Sequence, residues 1–193
     1  MRTHKTAILL FAFLAWIPGS TLLAYSDYSG TGTSSSPADN TPVNNTRYPI
    51  QAWFTPSDDI GTKVGAMIDK AEESVWIASP NIDLPELSLA VVGAKGRKLD
   101  IRIILDNGSK GSGQGDGPLF SNNGIPVFYS PGAMQAGLMH YSFVIIDSKT
   151  LILGSFQWDQ EDEAQNYENV VKISDPDTVK TYTNAFLKLW QQQ

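Results

Sequence analysis

The sequence predicts a single α/β domain in which a mixed β-sheet is flanked by helices on both faces. In the first half of the domain, short β-branched runs alternate with segments whose apolar residues recur at helical spacing. That alternation is typical of parallel strands joined by crossover helices. In the second half, the apolar runs Phe143–Ile146 and Leu151–Leu153 are separated by the polar segment Asp147–Thr150, which indicates an antiparallel hairpin.

Each predicted element has a local signal. The turn Pro56–Asp58 precedes the first helix, Pro85 and Gly96 bound the second, and Pro176 starts an amphipathic terminal helix. The predicted strands are Ile50–Thr55, Ser74–Ala78, Asp100–Leu105, Pro126–Tyr129, the two hairpin strands and Asn169–Ile173. The predicted helices are Asp59–Glu73, Leu84–Ala94, Leu119–Asn123 and the helix from Pro176.

The first 47 residues have the composition of a leader and a tether. Residues 1–26 combine a basic start, an apolar run and a small-residue cleavage site at Ser26, which predicts a signal peptide and a secreted or periplasmic protein. An uncleaved membrane anchor is the alternative, although the run is short for a span. Residues 27–47 are rich in Ser, Gly, Thr, Pro and Asn and predict a flexible linker. The predicted domain covers residues 48–193.

Composition excludes several classes of protein. The chain has no cysteine, so neither a disulfide framework nor a thiolate metal site is possible. The net charge is -6, and removing the predicted signal peptide leaves 12 basic and 20 acidic residues, a net charge of -8. Bulk attraction to nucleic acid or to an anionic membrane is therefore not supported. No cluster has metal-ligand spacing, so we expect no metal and no other cofactor.

Two polar segments have the composition of a ligand-binding loop, but their spacing does not match a known binding motif. The glycine-rich segment 106–118 matches neither the Walker pattern nor the dinucleotide fingerprint, and it predicts a mobile surface loop from which Lys110 could reach a substrate. The acidic segment Asp159–Glu163 lacks the EF-hand pattern and predicts a solvated run of charge.

Polar residues stand where the predicted hairpin strands begin and end. They are His140, Ser142, Asp147, Gly154, Ser155 and Gln157, followed by Glu168 and Asn169 before the last strand. Their spacing resembles the signature of the phospholipase D superfamily, His-x-Lys-x4-Asp followed after six residues by Gly-Ser-x-Asn. The lysine position holds Ser142, and the asparagine position holds Gln157. From about Tyr48 to its end, the chain is similar to one small nuclease-type member of that superfamily.

The resemblance implies a role for each of these residues. His140 would attack phosphorus and form a phosphohistidine, and Glu168 would orient its imidazole through a hydrogen bond. Asp147 and Gly154 would be structural. The residues expected to bind the substrate are Ser142, Ser155, Gln157 and Asn169. Ser142 offers a hydroxyl without a charge, and Lys110 or Lys149 could compensate for the missing lysine.

The single histidine of the predicted mature chain predicts a homodimer. In the superfamily, a second histidine protonates the leaving oxygen. Because His140 is the only histidine after residue 26, the second imidazole must come from another copy across a twofold interface.

Two functions follow from these observations. The first is a secreted phosphodiesterase that cleaves a nucleic acid or a phospholipid through a phosphohistidine at a homodimer interface, slowed by the loss of the motif lysine. The second is a catalytically inactive protein of the same fold that binds a phosphorylated ligand or a protein partner. The sequence does not choose between the two substrates.

Overall fold

A seven-stranded mixed sheet forms the centre of the structure, which is a computed structural model that describes residues 48–111, 113, 115–134 and 136–193. The predicted signal peptide and linker lie outside the described residues. The strands are β1 (Gln51–Phe54), β2 (Ser74–Ser79), β3 (Asp100–Asp106), β4 (Val127–Ser130), β5 (Phe143–Ile146), β6 (Thr150–Gly154) and β7 (Asn169–Ile173). The helices are α1 (Ile60–Asp69), α2 (Pro85–Gly96), α3 (Gly117–Asn122), α4 (Gln160–Ala164) and α5 (Pro176–Trp190), with a 3-10 turn at Asn107–Ser109.

The strand order across the sheet is β1-β7-β6-β5-β2-β3-β4. Strands β2, β3 and β4 are parallel to one another, and every pair from β2 through β5, β6 and β7 to β1 is antiparallel. The predicted mixed sheet and the predicted hairpin are therefore confirmed. The sequence predicts that β1 belongs to the parallel part of the sheet. Instead, β1 is the outermost strand and pairs antiparallel with β7 rather than with β2.

Helices cover both faces of the sheet, as the sequence predicts. Helices α1 and α2 pack on one face over a core that includes Val144 and Ile146, and α5 packs on the other face over Phe143 and Ile145. The side chains of β5 alternate between these two cores, as a pleated strand requires. All four residues of β5 are buried, so this strand lies at the centre of the fold.

Helix α1 ends at Asp69, four residues before the predicted end at Glu73. The reason is a contact from a distant part of the chain. The Asp147 carboxylate accepts the backbone N–H groups of Glu72, Glu73 and Ser74 at 2.8–3.1 Å. Amide groups bound in this way lead the chain out of the helix and into β2.

The same contacts set the charge state of Asp147. Burial alone would raise the pKa of this carboxyl, but the N–H groups of Ser74, Glu73 and Glu72, helped by the Lys149 charge, hold the pKa below its ordinary value. A carboxylate whose pKa is lowered by folding stabilises the folded state above its unfolded pKa. That stability is lost as the pH falls through the folded pKa.

We expect Asp147→Asn to lower the free energy of unfolding at pH 7 by about 1–3 kcal/mol, since an amide cannot accept three N–H groups as a carboxylate does. Asparagine suits the backbone here, because Asp147 has a φ of 54°. Urea unfolding measures the effect, and the difference from wild type should shrink below about pH 4.

The matched control is Asp69→Asn, which removes one exposed negative charge at the end of α1. It should change stability by less than about 0.5 kcal/mol. Equal losses in the two variants would show that net charge, rather than the contacts of Asp147, is responsible.

Candidate active site

The site residues predicted from the sequence gather at one edge of the sheet, except Asp147, which lies at the opposite edge. Strands β1, β2, β3, β4 and β6 end at the first edge, and β5 and β7 begin there. The register aligns Phe143 with Ala78 and Leu153, and it aligns Asn169 with Phe54. We call this end of the strands, where β2, β3 and β4 have their carboxyl ends, the site edge, and the other end of the strands is the opposite edge. The site edge brings together chain segments that are far apart in sequence.

His140 lies in the segment immediately before β5, and Asp106 holds the backbone of that segment. The Asp106 side chain is 8% exposed at the end of β3. Its Oδ2 accepts the N–H of Met139 at 2.7 Å, and its Oδ1 accepts the N–H of Gly108 at 2.7 Å. His140 itself is exposed and lines two adjacent cavities of about 480 and 470 Å³. A ligand can therefore reach this residue from solvent.

Ser142 stands where the superfamily signature has lysine, and its hydroxyl is already bonded within the chain. The hydroxyl donates to the carbonyl oxygen of Phe156. Ser142 and Gly154 both line the smaller of the two cavities. The substrate-binding role of Ser142 stays a prediction, but its one proton is used and it brings no positive charge.

Ser155 and Asn169 form a hydrogen-bonded pair at the ends of β6 and β7. The Ser155 Oγ accepts both the backbone N–H and the side-chain Nδ2–H of Asn169, each at 3.1 Å. The Ser155 N–H donates in turn to the Asn169 carbonyl at 3.0 Å. Because the Oγ only accepts in this pair, its own proton is free to donate to a ligand.

Gly154 allows strands β6 and β7 to approach closely beside this pair. A Cβ atom at Gly154 would lie 1.9 Å from the carbonyl oxygen of Asn169 and 2.8 Å from the Cα of Val170. Both obstacles are backbone atoms of the neighbouring strand, which cannot move aside as the end of a flexible side chain can. No side chain therefore fits at this position.

Thr55 places Glu168 at the site edge. The Thr55 Oγ1 accepts the N–H of Glu168 at 2.8 Å and donates to the Asn166 carbonyl at 2.7 Å. The Glu168 carboxylate forms no hydrogen bond with His140 among the described residues. Strand β6 lies between β5 and β7, the strands that follow these two residues, so β5 and β7 are about 10 Å apart. The orienting bond expected from the sequence is thus not formed within one chain, and the role of Glu168 stays a prediction.

Asp162 holds the backbone of Gln157. Its Oδ2 accepts the Gln157 N–H at 2.6 Å, and its Oδ1 accepts the Asn166 Nδ2–H at 2.9 Å. The hydroxyl of Ser79, which is fully buried at the end of β2, has one proton and faces the carbonyl oxygens of Asn81 at 2.5 Å and of Gln157 at 3.1 Å. The backbone of Gln157 is therefore fixed, while its side chain makes no hydrogen bond to another described residue.

The prediction of a solvated acidic run at Asp159–Glu163 is wrong. Asp159 caps the short helix α4, the residues up to Glu163 form most of that helix, and Asp162 is buried. The Glu163 carboxylate accepts the N–H groups of Ile60 and Gly61 at 2.9 and 3.0 Å, which anchors α4 to the start of α1. Burial raises the pKa of Glu163, although these two N–H groups oppose the shift.

Sequence reasoning missed three polar residues that hold the backbone of the site edge. They are Thr55, Asp106 and Asp162, and each is at most 8% exposed. Their local signals are weak, since a polar residue at a strand end or three residues after a helix cap is common in ordinary turns. Only the tertiary contacts show that each one positions a different site segment.

The described residues contain no group of three or more His, Asp or Glu side chains arranged to hold a metal ion. In the same part of the chain, none of the helices has both the length and the apolar character needed to cross a membrane.

A mixed sheet covered by helices on both faces, with His140 and the Gly154-Ser155 pair at the same ends of its strands, is the arrangement of the phospholipase D superfamily. Within that class, the chain belongs to the family described as cardiolipin synthase, PLD-like domain, whose family model matches residues 64–190.

Known proteins of this superfamily are similar over most of the chain. The mitochondrial cardiolipin hydrolase of Xenopus tropicalis is 28% identical over 160 residues, which cover 81% of this chain and 74% of that protein. A phospholipase D of Rickettsia conorii is 27% identical over 141 residues, covering 73% and 69%. The crystal structure of Nuc from Salmonella typhimurium, a phospholipase D family member, superimposes with a TM-score of 0.66 at 25% identity and covers 75% of this chain and 95% of Nuc.

We expect Gly154→Ala to destabilise the fold by about 1–3 kcal/mol or more, because the added methyl group overlaps the backbone of β7. Thermal unfolding measures this loss. Gly96→Ala is the matched control, since nothing lies within 4 Å of a Cβ at Gly96. That variant should be neutral or slightly stabilising. A Gly154→Ala protein as stable as wild type would contradict the close approach.

Proposed function

We propose that the protein is a secreted phosphodiesterase that acts through a phosphohistidine at His140. The observation that supports it best is the placement of His140, which is exposed at the site edge and lines two cavities, the smaller of which it shares with Ser142 and Gly154. The names of the Xenopus and Rickettsia relatives refer to phospholipid hydrolysis, which supports a phosphodiester substrate.

The proposed reaction has two displacements at phosphorus. An imidazole nitrogen of His140 attacks, a P–N bond forms, and the P–O bond to the leaving alcohol breaks while a second imidazole gives that oxygen its proton. Water then attacks phosphorus and breaks the P–N bond, and the second imidazole takes the proton of the water. The products are an alcohol and a phosphomonoester. The hydroxyl of Ser155 and the amide of Gln157 are the donors toward the phosphoryl oxygens.

The second imidazole is proposed to come from a second copy of the chain. His140 is the one histidine in the described residues, so a single copy cannot supply both. Exposed apolar side chains lie along the site edge, where a partner copy would cover them: Phe54, Leu138, Tyr141 and Tyr167. Exposed apolar side chains on one side of a protein are typical of an interaction surface when they form a continuous patch.

The inactive binding protein is the second candidate, and Ser142 favours it. Loss of a preorganised charge at the phosphoryl oxygens typically costs about 2.7–4 kcal/mol of transition-state stabilisation. A symmetric site would lose that charge twice. The Ser142 hydroxyl, bonded to Phe156, does not replace it.

Between the two substrate classes, we favour a phospholipid over a nucleic acid. The names of the Xenopus and Rickettsia relatives refer to phospholipid hydrolysis, whereas the net charge of -8 without the predicted signal peptide opposes binding of a nucleic acid as it does of an anionic membrane. Export with cleavage near Ser26 is part of the proposal, on the composition of the leader. N-terminal sequencing of exported protein tests it, and a product that still starts at Met1 would contradict it.

We expect slow hydrolysis of bis-p-nitrophenyl phosphate that is insensitive to EDTA and absent in His140→Ala. Ser142→Lys should raise the rate, by about 100-fold or more, since the new charge acts in the chemical step. Phospholipid vesicles and single-stranded DNA, assayed in parallel, identify the substrate class.

The thermal stability of each variant is the control, because a lysine at position 142 cannot keep the bond to Phe156. Folded wild-type and Ser142→Lys proteins that are both inert toward all three substrates would leave the binding protein as the function. Loss of activity on chelation would instead point to a metal-activated water.

The protein should have twice its monomer mass in solution. Light scattering at micromolar concentration measures this mass. A monomer that retains full activity would rule out a reaction shared between two copies.

A further inference from the structure

A phosphate bound at the site edge needs a positive charge that Ser142 does not provide. Lys149, which the sequence offered as a substitute, lies in the β5–β6 turn at the opposite edge of the sheet. Its Nζ lies 3.1 Å from the Glu73 carboxylate. Arg102 lies near the start of β3, also at the opposite edge, and pairs with Asp100 at 2.9 Å. Neither side chain lines a cavity that includes His140.

Lys110, the other lysine considered from the sequence, follows β3 at the site edge, but its side chain lies over the ring of Tyr129. Its Nζ lies 5.5 Å from the centroid of the Tyr129 ring. Lys110 does not line either of the cavities that include His140.

Lys188 shares a cavity with His140. Helix α5 follows β7 and crosses the face of the sheet, so that Thr181 and Tyr182 line the smaller cavity with His140 and the last turn of the helix lines the larger one. The cavity of about 480 Å³ is lined by Lys188, Gln192 and Ala185 from this helical end and by His140 and Tyr141 from the facing segment. Lys188 forms no ion pair or hydrogen bond with another described residue.

Aromatic contacts fix this helix against the sheet. The Phe186 ring stacks on Trp76 with centroids 5.3 Å apart, and the Tyr182 ring meets Phe143 edge-on at 5.1 Å. Phe143 directly follows Ser142. The distance between the last turn of α5 and the histidine segment is therefore set by packed side chains on both elements.

We propose that Lys188 supplies, from helix α5, the positive charge that binds the substrate phosphate beside His140 in place of the motif lysine. This inference rests on the proposed phosphodiester substrate. The rest of the cavity wall is largely apolar, with Leu138, Met139 and Leu189 among its residues. Attraction between an ammonium group and a phosphate is stronger beside such a wall than in open water.

Binding of dimethyl phosphate, a minimal phosphodiester, tests this directly. The imidazole proton signals of His140, assigned with His140→Gln, report binding by NMR. Lys188→Gln should weaken binding by about tenfold or more, the effect of losing one charged contact, while Lys188→Arg should stay within about twofold of wild type.

Lys180→Gln is the matched control. It removes the same charge from an exposed position about 12 Å away along the axis of the same helix, and Lys180 lines neither of the cavities that include His140. Its affinity should stay within about twofold of wild type. Equal weakening in Lys188→Gln and Lys180→Gln would show an effect of net charge alone and would overturn the proposal. So would unchanged binding in Lys188→Gln, or no saturable binding in wild type.

A lysine in the last turn also interacts favourably with the partial negative charge of the helix end. Thermal unfolding of each variant separates this effect from binding. Lys188→Ala, a second neutral variant at an exposed position, must weaken binding as Lys188→Gln does.

Turnover distinguishes this proposal from the proposed function. If Lys188 replaces the motif lysine, Ser142→Lys should raise the rate by a larger factor in the Lys188→Gln background than in wild type, because the two charges act on one phosphate. Equal factors would overturn the role of Lys188 and leave the phosphodiesterase intact. Specific binding that depends on Lys188, with no turnover of any diester, would support the inference while the enzymatic function fails.

Discussion

Burial of β5 on both faces is the constraint on which the rest of the structure depends. Phe143 and Ile145 enter the core beneath α5, and Val144 and Ile146 enter the core beneath α1 and α2. A slip of one residue would exchange the two sets of side chains, so the register of this strand is strongly specified. The segment that contains His140 directly precedes β5, so the register of β5 fixes where this segment begins. The position of His140 thus depends on the hydrophobic packing of β5, together with the hydrogen bond from the N–H of Met139 to Asp106.

The sequence predicts those elements whose signals are local. The hairpin strand Phe143–Ile146 is predicted residue for residue, because four consecutive β-branched or aromatic residues before a polar turn have few other solutions. The premature end of α1 and the burial of Asp162 were not predictable in this way. The end of α1 depends on the carboxylate of Asp147, which is distant in sequence, so no pattern within a short window records that partner. The partners of Asp162, Gln157 and Asn166, are close in sequence, but their spacing does not show that the carboxylate is buried.

In the candidate site, too, local features could be predicted from the sequence and contacts between distant segments could not. The polar side chains at strand ends, His140, Ser155 and Asn169, could be placed at one edge from the sequence. Whether Glu168 meets the histidine could not, because that depends on how many strands lie between them in the sheet. The surroundings of Ser142 were equally hidden, since the carbonyl of Phe156 comes next to it only through the pairing of β5 and β6.

Thr55, Asp106 and Asp162 all bind main-chain N–H groups rather than the side chains that would meet a substrate. At the site edge, main-chain groups therefore hold the fold in place, while other side chains are the ones that would meet a substrate. A residue such as Ser142 or Gln157 can be exchanged during evolution while the backbone beneath it keeps its course. The superfamily frame can thus outlast the loss of its own lysine, and the same separation makes this edge a scaffold on which new side-chain chemistry can be installed.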